Sequence, residues 1–255
     1  MDLPWSMRIL AFLVCGLILM RTMFARRGKE YFIRRIPGID ALEEAVGRAT
    51  EMGRPVVFTP GIASLDNMQV LAGLAVLGWI ARQCAKFMVR VIVPVMEPPV
   101  VPAAEEILRE AYRSEGKEEF FHHSDVRFLS RDQSAFAAGT IGILTREQAA
   151  AGFYFGSFGF ESLLIAETGN RIGAIQVAAT ADYFQIPFFI CTCDYTLIGE
   201  ELYAASAYLS RNPVQVGMLS GQDMAKLLLL VLLFFGSVAA IFYPVLNPLE
   251  GLLGW

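Results

Sequence analysis

Two cysteines and an aspartate lie close together in the segment CTCD, residues 191–194. On a β-strand, Cys191 and Cys193 would point to the same face, and two thiolates beside Asp194 are a ligand set that zinc accepts. Metal-binding cysteine pairs, however, usually have the spacing C-x2-C on a turn, where both sulfurs converge. Two cysteines on one strand face are more often small core residues. We therefore assign neither a metal nor a redox function to this pair.

A second candidate is the segment FYFGSFGFES, residues 153–162, which reads as the end of a strand followed by the start of a helix. Gly156 and Gly159 would let a phosphate approach the backbone N–H groups there. Ser157 resembles the nucleophile of a G-x-S-x-G elbow, but the first glycine of that motif is absent. Glu161 would place a carboxylate in the first helical turn, where it suits the helix dipole but repels phosphate.

The chain contains only two histidines, His122 and His123, and they limit hydrolytic chemistry. A Ser-His-Asp triad would have to use one of them, and both lie in the charged segment EGKEEFFHHSD, far along the chain from Ser157. Adjacent residues on a strand point to opposite faces, so the pair is also unsuited to bind one zinc ion. The sequence thus contains no complete catalytic motif. We assign no cofactor, and a non-enzymatic function is favoured over an enzymatic one, which stays open as the alternative.

Acidic residues in apolar segments are the remaining candidates. Asp194 follows a predicted strand, and we expect its carboxylate to cap the next helix or to accept hydrogen bonds from loop amides. The alternative is that Asp194 and Glu161 converge at adjacent strand ends, where they would bind a cation or act as acid and base. Glu200 and Glu201 cannot both face inward from one helix. The candidate ligand-binding residues are therefore Gly156, Ser157, Gly159, Glu161, Asp194 and Glu200.

Strand-like and helix-like segments alternate between residues 36 and 223, and they must position these side chains. Strands are predicted at 55–59, 88–95, 126–130, 153–158 and 187–193. Helices are predicted at 67–87, with Ser64 or Asp66 as its cap, at 102–116, at 132–152, at 161–185, with a break near Gly169, and at 197–210. This alternation is typical of an α/β fold with a mostly parallel, Rossmann-like sheet covered by helices.

Both ends of the chain carry apolar segments, in keeping with a hydrophobic content of 55%. Residues 227–246 form a run of 20 residues without charge, long enough to cross the hydrocarbon core of a bilayer. Residues 9–20 are also apolar, and this segment spans the core when it is extended to residue 25. The apolar helix at 68–81 is too short for a comfortable crossing, and we assign it to the core of the domain.

These segments divide the chain into five parts. They are an N-terminal transmembrane anchor at 1–25, a basic juxtamembrane segment at 26–35, an α/β domain at 36–223, a C-terminal transmembrane helix at 224–246 and a short outer tail at 247–255.

A basic cluster comes directly after the first apolar segment and sets the predicted orientation. Positively charged loops remain in the cytoplasm, so we place the central domain on the cytoplasmic side of a bacterial inner membrane, with both termini outside. The same side chains are expected to contact anionic lipid headgroups. They are Arg26, Arg27, Lys29, Arg34 and Arg35. In that reducing compartment, we do not expect disulfides between the cysteines of the domain.

The central domain is acidic, with 13 Lys/Arg and 22 Asp/Glu between residues 36 and 223 and hence a net charge of −9. Nucleic-acid binding needs a basic face, so this class of partner is excluded. Apolar helices without a complete catalytic motif favour a membrane-anchored scaffold that forms a homo-oligomer or joins a larger membrane complex. The alternative is a domain that binds a small ligand, a nucleotide or a metal at the strand ends around residues 156–161 and Asp194.

Two long motifs extend this interpretation. The runs ESLLIAETG, residues 161–169, and CDYTLIGEEL, residues 193–202, together with RRIPGIDALEEAVGRATEMGRPV at 34–56, resemble an uncharacterised family of bacterial membrane-protein domains of unknown function. The resemblance covers nearly the whole chain. It implies an architecture of two terminal transmembrane helices around a cytoplasmic α/β domain, and it implies no activity.

Overall fold

A computed structural model describes residues 5–29, 31 and 37–242 of the chain. The chain forms two compact units, which are described separately: unit 1 comprises residues 1–34 and 211–255, and unit 2 comprises Arg35–Ser210. The predicted lipid contacts of Arg34 and Arg35 and the predicted outer tail at 247–255 lie outside the described residues.

The elements succeed one another in an alternating order. The helices are α1 (Trp5–Arg26), α2 (Pro37–Met52), α3 (Met68–Lys86), α4 (Val100–Ser114), α5 (Gln133–Glu147), α6 (Glu161–Arg171), α7 (Ile186–Thr192), α8 (Glu201–Ser210) and α9 (Pro213–Phe242), with short 3₁₀ turns at Glu118–Phe120 and His123–Asp125. The strands are β1 (Val56–Gly61), β2 (Val91–Val95), β3 (Val126–Phe128), β4 (Ala151–Ser157), β5 (Ile175–Thr180) and β6 (Tyr195–Ile198).

Unit 1 is a pair of helices, α1 and α9, that pack along each other. Two glycines of α9, one turn apart, lie against the backbone of α1. A Cβ atom added at Gly217 would lie 2.6 Å from the Cα atom of Thr22, and one added at Gly221 would lie 2.8 Å from the Cα atom of Ile18. The two backbones therefore approach to a distance that only glycine permits, which is the packing mode of small-xxx-small motifs.

Within the described residues, three helices are long and apolar enough to cross a membrane by length and composition: Met7–Arg26, Met68–Lys86 and Pro213–Val238. They differ in how much of each apolar window is buried in the protein. The share is 61% for α3 but 0% for α1 and 11% for α9. The burial of α3 supports its interpretation as a core helix of unit 2.

Unit 2 contains a parallel six-stranded sheet in the order β3-β2-β1-β4-β5-β6. This finding confirms the prediction of an α/β fold with a parallel sheet and covering helices. The order is that of Rossmann-type sheets, in which the chain reverses its direction of growth between β1 and β4. At that point Gly61, with φ +86°, and Gly156 lie so close to the opposite strand that an added Cβ atom would collide with its backbone.

Helices cover both faces of this sheet, and each side has its own apolar core. Helices α2, α3, α4 and α8 pack on one face, around side chains such as Phe58, Leu77 and Phe155. Helices α5, α6 and α7 pack on the other face, where Tyr154 and Phe189 stack with ring centroids 6.0 Å apart. Side chains that alternate along β4 thus enter the two cores in turn.

The prediction of a strand at 187–193 is wrong, because residues 186–192 form helix α7. The prediction of one helix at 161–185 is also wrong, because α6 ends at Arg171 and β5 comes after it. Gly173, with φ +73°, ends α6 in a Schellman motif: its N–H donates to Asn170 O at 3.0 Å, and the Ala174 N–H donates to Gly169 O at 3.0 Å. The break therefore lies beyond the expected position at Gly169.

Smaller differences concern the start of two other elements. The predicted helix at 197–210 begins only at Glu201, because residues 195–198 pair with β5 as strand β6. The cap of α3 is neither Ser64 nor Asp66 but Asn67, whose side-chain oxygen accepts from the Gln69 N–H at 2.8 Å.

Candidate functional site

A polar network lies at the carboxyl edge of the sheet, where ligands bind in many parallel α/β proteins. Its centre is Asp182, which lies just after β5. The Asp182 carboxylate accepts hydrogen bonds from Ser157 Oγ at 2.9 Å, from the Phe158 N–H at 2.8 Å and from Gln69 Nε2 at 2.9 Å. These bonds join the ends of β4 and β5 to the start of α3. Asp182 was not predicted as a site residue from the sequence. Residues 175–180 were assigned to a helix, so the position of Asp182 directly after a strand was not recognised.

Glu161 lies beside this network at the start of α6 and is completely buried. Its Oε1 accepts from the Gly159 N–H at 2.8 Å, and its Oε2 accepts from the side-chain amide of Gln133 on α5. In the parts of the chain that the structure describes, no Lys or Arg pairs with this carboxylate. Its burial is therefore compensated by hydrogen bonds from neutral groups and by the adjacent helix N-terminus.

The backbone N–H groups of the loop between β4 and α6 point at negative charge, as they do in an anion-binding loop. Here, however, the negative charge comes from carboxylates of the protein itself. Two consecutive N–H groups, of Phe158 and Gly159, donate to the carboxylates of Asp182 and Glu161. These are the backbone groups that a phosphate would need in order to bind at the predicted glycine loop. A phosphate would have to displace two carboxylates of like charge, so the geometry disfavours phosphate at this loop.

Ser157 is committed to the same network, since its hydroxyl donates to Asp182 rather than to a histidine. His122 and His123 lie immediately before β3, at the amino edge of the sheet, and His123 Nδ1 lies 3.4 Å from Glu105. The carboxyl edge holds Ser157, so the serine and the histidines lie at opposite ends of the strands. This arrangement keeps Ser157 apart from both histidines.

Asp194 is also placed at the amino edge, because it precedes β6 instead of coming after a strand. Its carboxylate accepts from the Gln176 N–H at 2.7 Å, and the Gln176 side chain donates to Thr192 O at 3.0 Å. Asp194 therefore anchors a backbone amide at the start of β5, and it caps none of the described helices. The structure does not bring Asp194 and Glu161 together, since Glu161 lies after β4 at the other end of the sheet.

Glu200 and the two cysteines are the remaining candidates. Glu200 is exposed before α8, and its carbonyl oxygen accepts from the Ala204 N–H at 3.0 Å. Cys191 is exposed on α7, whereas Cys193 at the end of that helix is largely covered, and burial raises its pKa to about 12. The thiol of Cys193 is thus protonated at neutral pH. Among the described residues, no three His, Cys, Asp or Glu side chains are grouped in a way that could hold a metal ion.

A cleft of about 260 Å³ opens at the amino edge of the sheet, away from the predicted site. Arg90 lines it and donates to Asp125 at 2.7 Å and to Glu147 at 3.4 Å. These ion pairs join the start of β2 to the turn before β3 and to the end of α5. The Arg90 guanidinium is therefore engaged within the domain.

Unit 2 exposes a group of large apolar side chains around α6 and α7. Helices α6 and α7 lie side by side, and the loop before α7 projects two aromatic rings into solvent. We call the outer surface of these elements the α6–α7 face. It consists of Phe160, Leu163, Leu164, Tyr183, Phe184, Phe188 and Ile190, all of them exposed. Apolar groups concentrated in this way mark an interaction surface more often than isolated exposed residues do.

Comparison with known proteins bears on the resemblance noted in the sequence. No curated protein and no solved structure matches the chain. A family model matches residues 3–248, and the match includes both terminal apolar helices and the whole α/β unit. The resemblance to a family of unknown function is thereby confirmed, and the chain belongs to the family described as a domain of unknown function, DUF6754.

Proposed function

We propose that this protein is a membrane-anchored assembly protein, in which α1 and α9 hold the chain in a bilayer and the α/β unit provides a docking platform for protein subunits. The observation that carries the proposal is the α6–α7 face. Seven large apolar side chains are exposed on α6, on α7 and on the residues directly before these helices, and they have a hydration cost that protein–protein contact removes.

The character of α1 and α9 supports the membrane anchor. Both helices expose large apolar side chains along their length, such as Phe12 on α1 and Leu230 on α9, and lipid covers such groups in a membrane. Basic and aromatic residues meet where α1 ends: the Arg21 guanidinium and the Lys29 ammonium lie 5.0 and 5.7 Å from the centre of the Tyr31 ring. Such groups are typical of the membrane–water interface, and the basic cluster favours a cytoplasmic α/β unit.

The geometry gives less support to a ligand site at the carboxyl edge of the sheet. The amides of Phe158 and Gly159 are bonded to Asp182 and Glu161, and Asp194 lies at the other edge. The polar network therefore serves to hold β4, β5, α3 and α6 together. A docking function requires this rigidity, because it fixes the helices that carry the apolar face.

Extraction of the full chain from its membrane in a mild detergent tests the proposal. After chemical cross-linking in the intact membrane, native mass spectrometry should find the chain bound to further protein, either copies of itself or another subunit. A chain that is strictly monomeric in both measurements would contradict an assembly function. Thermal-shift assays with nucleotides and divalent cations complete the test, since marked stabilisation by any of them would favour the ligand-binding alternative.

A further inference from the structure

Tyr183 and Phe184 are the most exposed aromatic residues of unit 2 that the structure describes, with 84% and 88% of their surface accessible. They lie in the loop between β5 and α7, directly after Asp182. Two adjacent rings in solvent have the composition of the central anchors of protein interfaces, where Tyr and other aromatic residues are enriched. Their position next to α6 and α7 makes them the most prominent part of the α6–α7 face.

The loop that presents these rings is held on both sides. On one side, the Asp182 carboxylate accepts from Ser157 and from the Phe158 N–H. On the other side, the Ser162 hydroxyl donates to the Gln185 side chain at 2.8 Å, and the Gln185 N–H donates to Asp182 O at 2.9 Å. The rings are thus presented on a fixed backbone, and a fixed anchor loses less conformational entropy on binding than a mobile one.

The segments that carry the face hold no unpaired basic side chain. Four charged residues occur between residues 160 and 193: Glu161 is buried, Asp182 is hydrogen-bonded in the loop, and Glu167 pairs with Arg171 at 3.1 Å. The rest of the domain is strongly acidic. An anionic lipid surface would therefore repel the domain and find no free cation on this face. The most exposed charges of these segments, Arg171 and Glu167, pair with each other, so a second copy of the chain can approach through this face without bringing the acidic residues of the rest of the domain together.

The size of the face suits such a contact. From the exposed fractions and a typical area of about 150–250 Å² for an aromatic side chain, the four aromatic side chains present on the order of 500 Å², and the three aliphatic side chains add to this area. An interface of standard size buries about 800 Å² on each partner. A two-fold symmetric dimer uses the same patch on both copies, so this one face is sufficient for both partners.

We propose that two copies of the chain associate through their α6–α7 faces, with Tyr183 and Phe184 of each copy as the anchors of the contact. This proposal rests on the assembly function and specifies its partner as a second copy of the same chain. Because the anchors are exposed in the single chain, charged substitutions there disrupt the contact without removing a core residue.

The test compares two variants of the full chain in detergent and in lipid nanodiscs. Tyr183→Glu combined with Phe184→Glu should weaken dimerisation at least tenfold in mass photometry and should abolish co-purification of two differently tagged copies. Phe87→Glu is the matched control, since Phe87 is 53% exposed at the end of α3, outside the face, and this variant should dimerise like the wild type. Thermal melting curves establish that both variants are folded.

The outcomes separate the two proposals. If the wild type is dimeric and the double variant dimerises equally well, the proposed face is wrong while the assembly function stands. If the wild type is monomeric but binds another protein through Tyr183 and Phe184, the proposed partner is wrong. If the wild type is monomeric and binds no protein, both proposals fail.

Contact of the face with lipid is measured separately. Phe184→Cys in a chain that also carries Cys15→Ser and Cys191→Ser accepts an environment-sensitive fluorophore. Spin-labelled lipids in the nanodisc should leave its emission unquenched. Strong quenching would place the face in the bilayer and overturn the dimer contact.

Discussion

The carboxylate of Asp182 lies 2.8 Å from the amide nitrogen of Phe158, across the gap between the ends of β5 and β4. One side chain thereby supplies the negative charge that a bound anion would supply in a nucleotide-binding loop. The same carboxylate holds Ser157 and Gln69, so three elements depend on it.

Replacement of this carboxylate tests its structural role. Asp182→Asn retains the shape of the side chain but replaces one carboxylate oxygen by an NH₂ group, which cannot accept a hydrogen bond. At least one of the donors around residue 182 then loses its acceptor, and we expect a loss of about 1–3 kcal/mol in the free energy of unfolding. Urea unfolding of the full chain in detergent, followed by circular dichroism, measures the effect. Asp66→Asn is the control, because Asp66 is exposed in the loop before α3. Equal stability of the two variants would show that the network does not hold the strand ends.

The helix pair of unit 1 gives a second prediction. Gly221→Leu introduces a side chain where the Ile18 backbone leaves no room, and overpacking of this kind costs about 1–3 kcal/mol. Gly16→Leu on α1 is matched in its chemistry, but a Cβ atom at Gly16 meets nothing within 4 Å. We therefore expect a lower melting temperature in detergent for the first variant only. The same result for both would mean that α1 and α9 do not pack through Gly221.

The end of helix α6 gives a third prediction. Gly173→Ala forces a Cβ atom into the left-handed region at φ +73°, at a cost of about 1–2 kcal/mol. Gly47→Ala, in the middle of α2 with open space around it, should instead stabilise the protein by about 0.5–1 kcal/mol. Opposite shifts of the urea midpoint check both expectations. A stabilising Gly173→Ala change would contradict the turn that separates α6 from β5.

The cysteines at the end of α7 should differ in reactivity. In a Cys15→Ser chain at pH 8, we expect rapid modification of exposed Cys191 by a maleimide, and slow modification of Cys193, whose pKa is raised to about 12. With that pKa, roughly one Cys193 thiol in ten thousand is ionised at pH 8. Peptide mass mapping after a short pulse distinguishes the sites, and removal of Cys191 should abolish most of the fast labelling. Equal labelling rates would show that the end of α7 is open.

The same shift in pKa sets a pH dependence of stability. The unfolded thiol of Cys193 ionises near pH 9, whereas the folded protein holds its proton until about pH 12. The stabilisation linked to this proton is therefore fully present below pH 9 and is lost between pH 9 and 12. Urea unfolding of the wild type and of a Cys193→Ala variant over this range measures the difference. If the slope of stability against pH is the same in both, Cys193 is not buried in the folded protein.

By itself, the sequence was sufficient to predict the α/β class, the parallel sheet and the apolar ends of the chain. These features depend on local signals that agree with one another. The runs that form β1, β2 and β4 are rich in β-branched or aromatic residues and are separated by long helical patterns, and parallel strands need such crossovers. The apolar runs at the two ends are recognisable from length and composition alone.

Only the tertiary structure decided which of two short apolar runs is a strand. Residues 175–180 and 186–192 are both too short for periodicity to distinguish helix from strand. The first run pairs with β4 on one side and β6 on the other, and the second covers the sheet through Phe189. Because residues 175–180 form the strand and residues 186–192 form the helix, Asp182 comes after a strand and Asp194 precedes one. Their carboxylates therefore lie at opposite edges of the sheet, because all strands of a parallel sheet begin at one edge and end at the other.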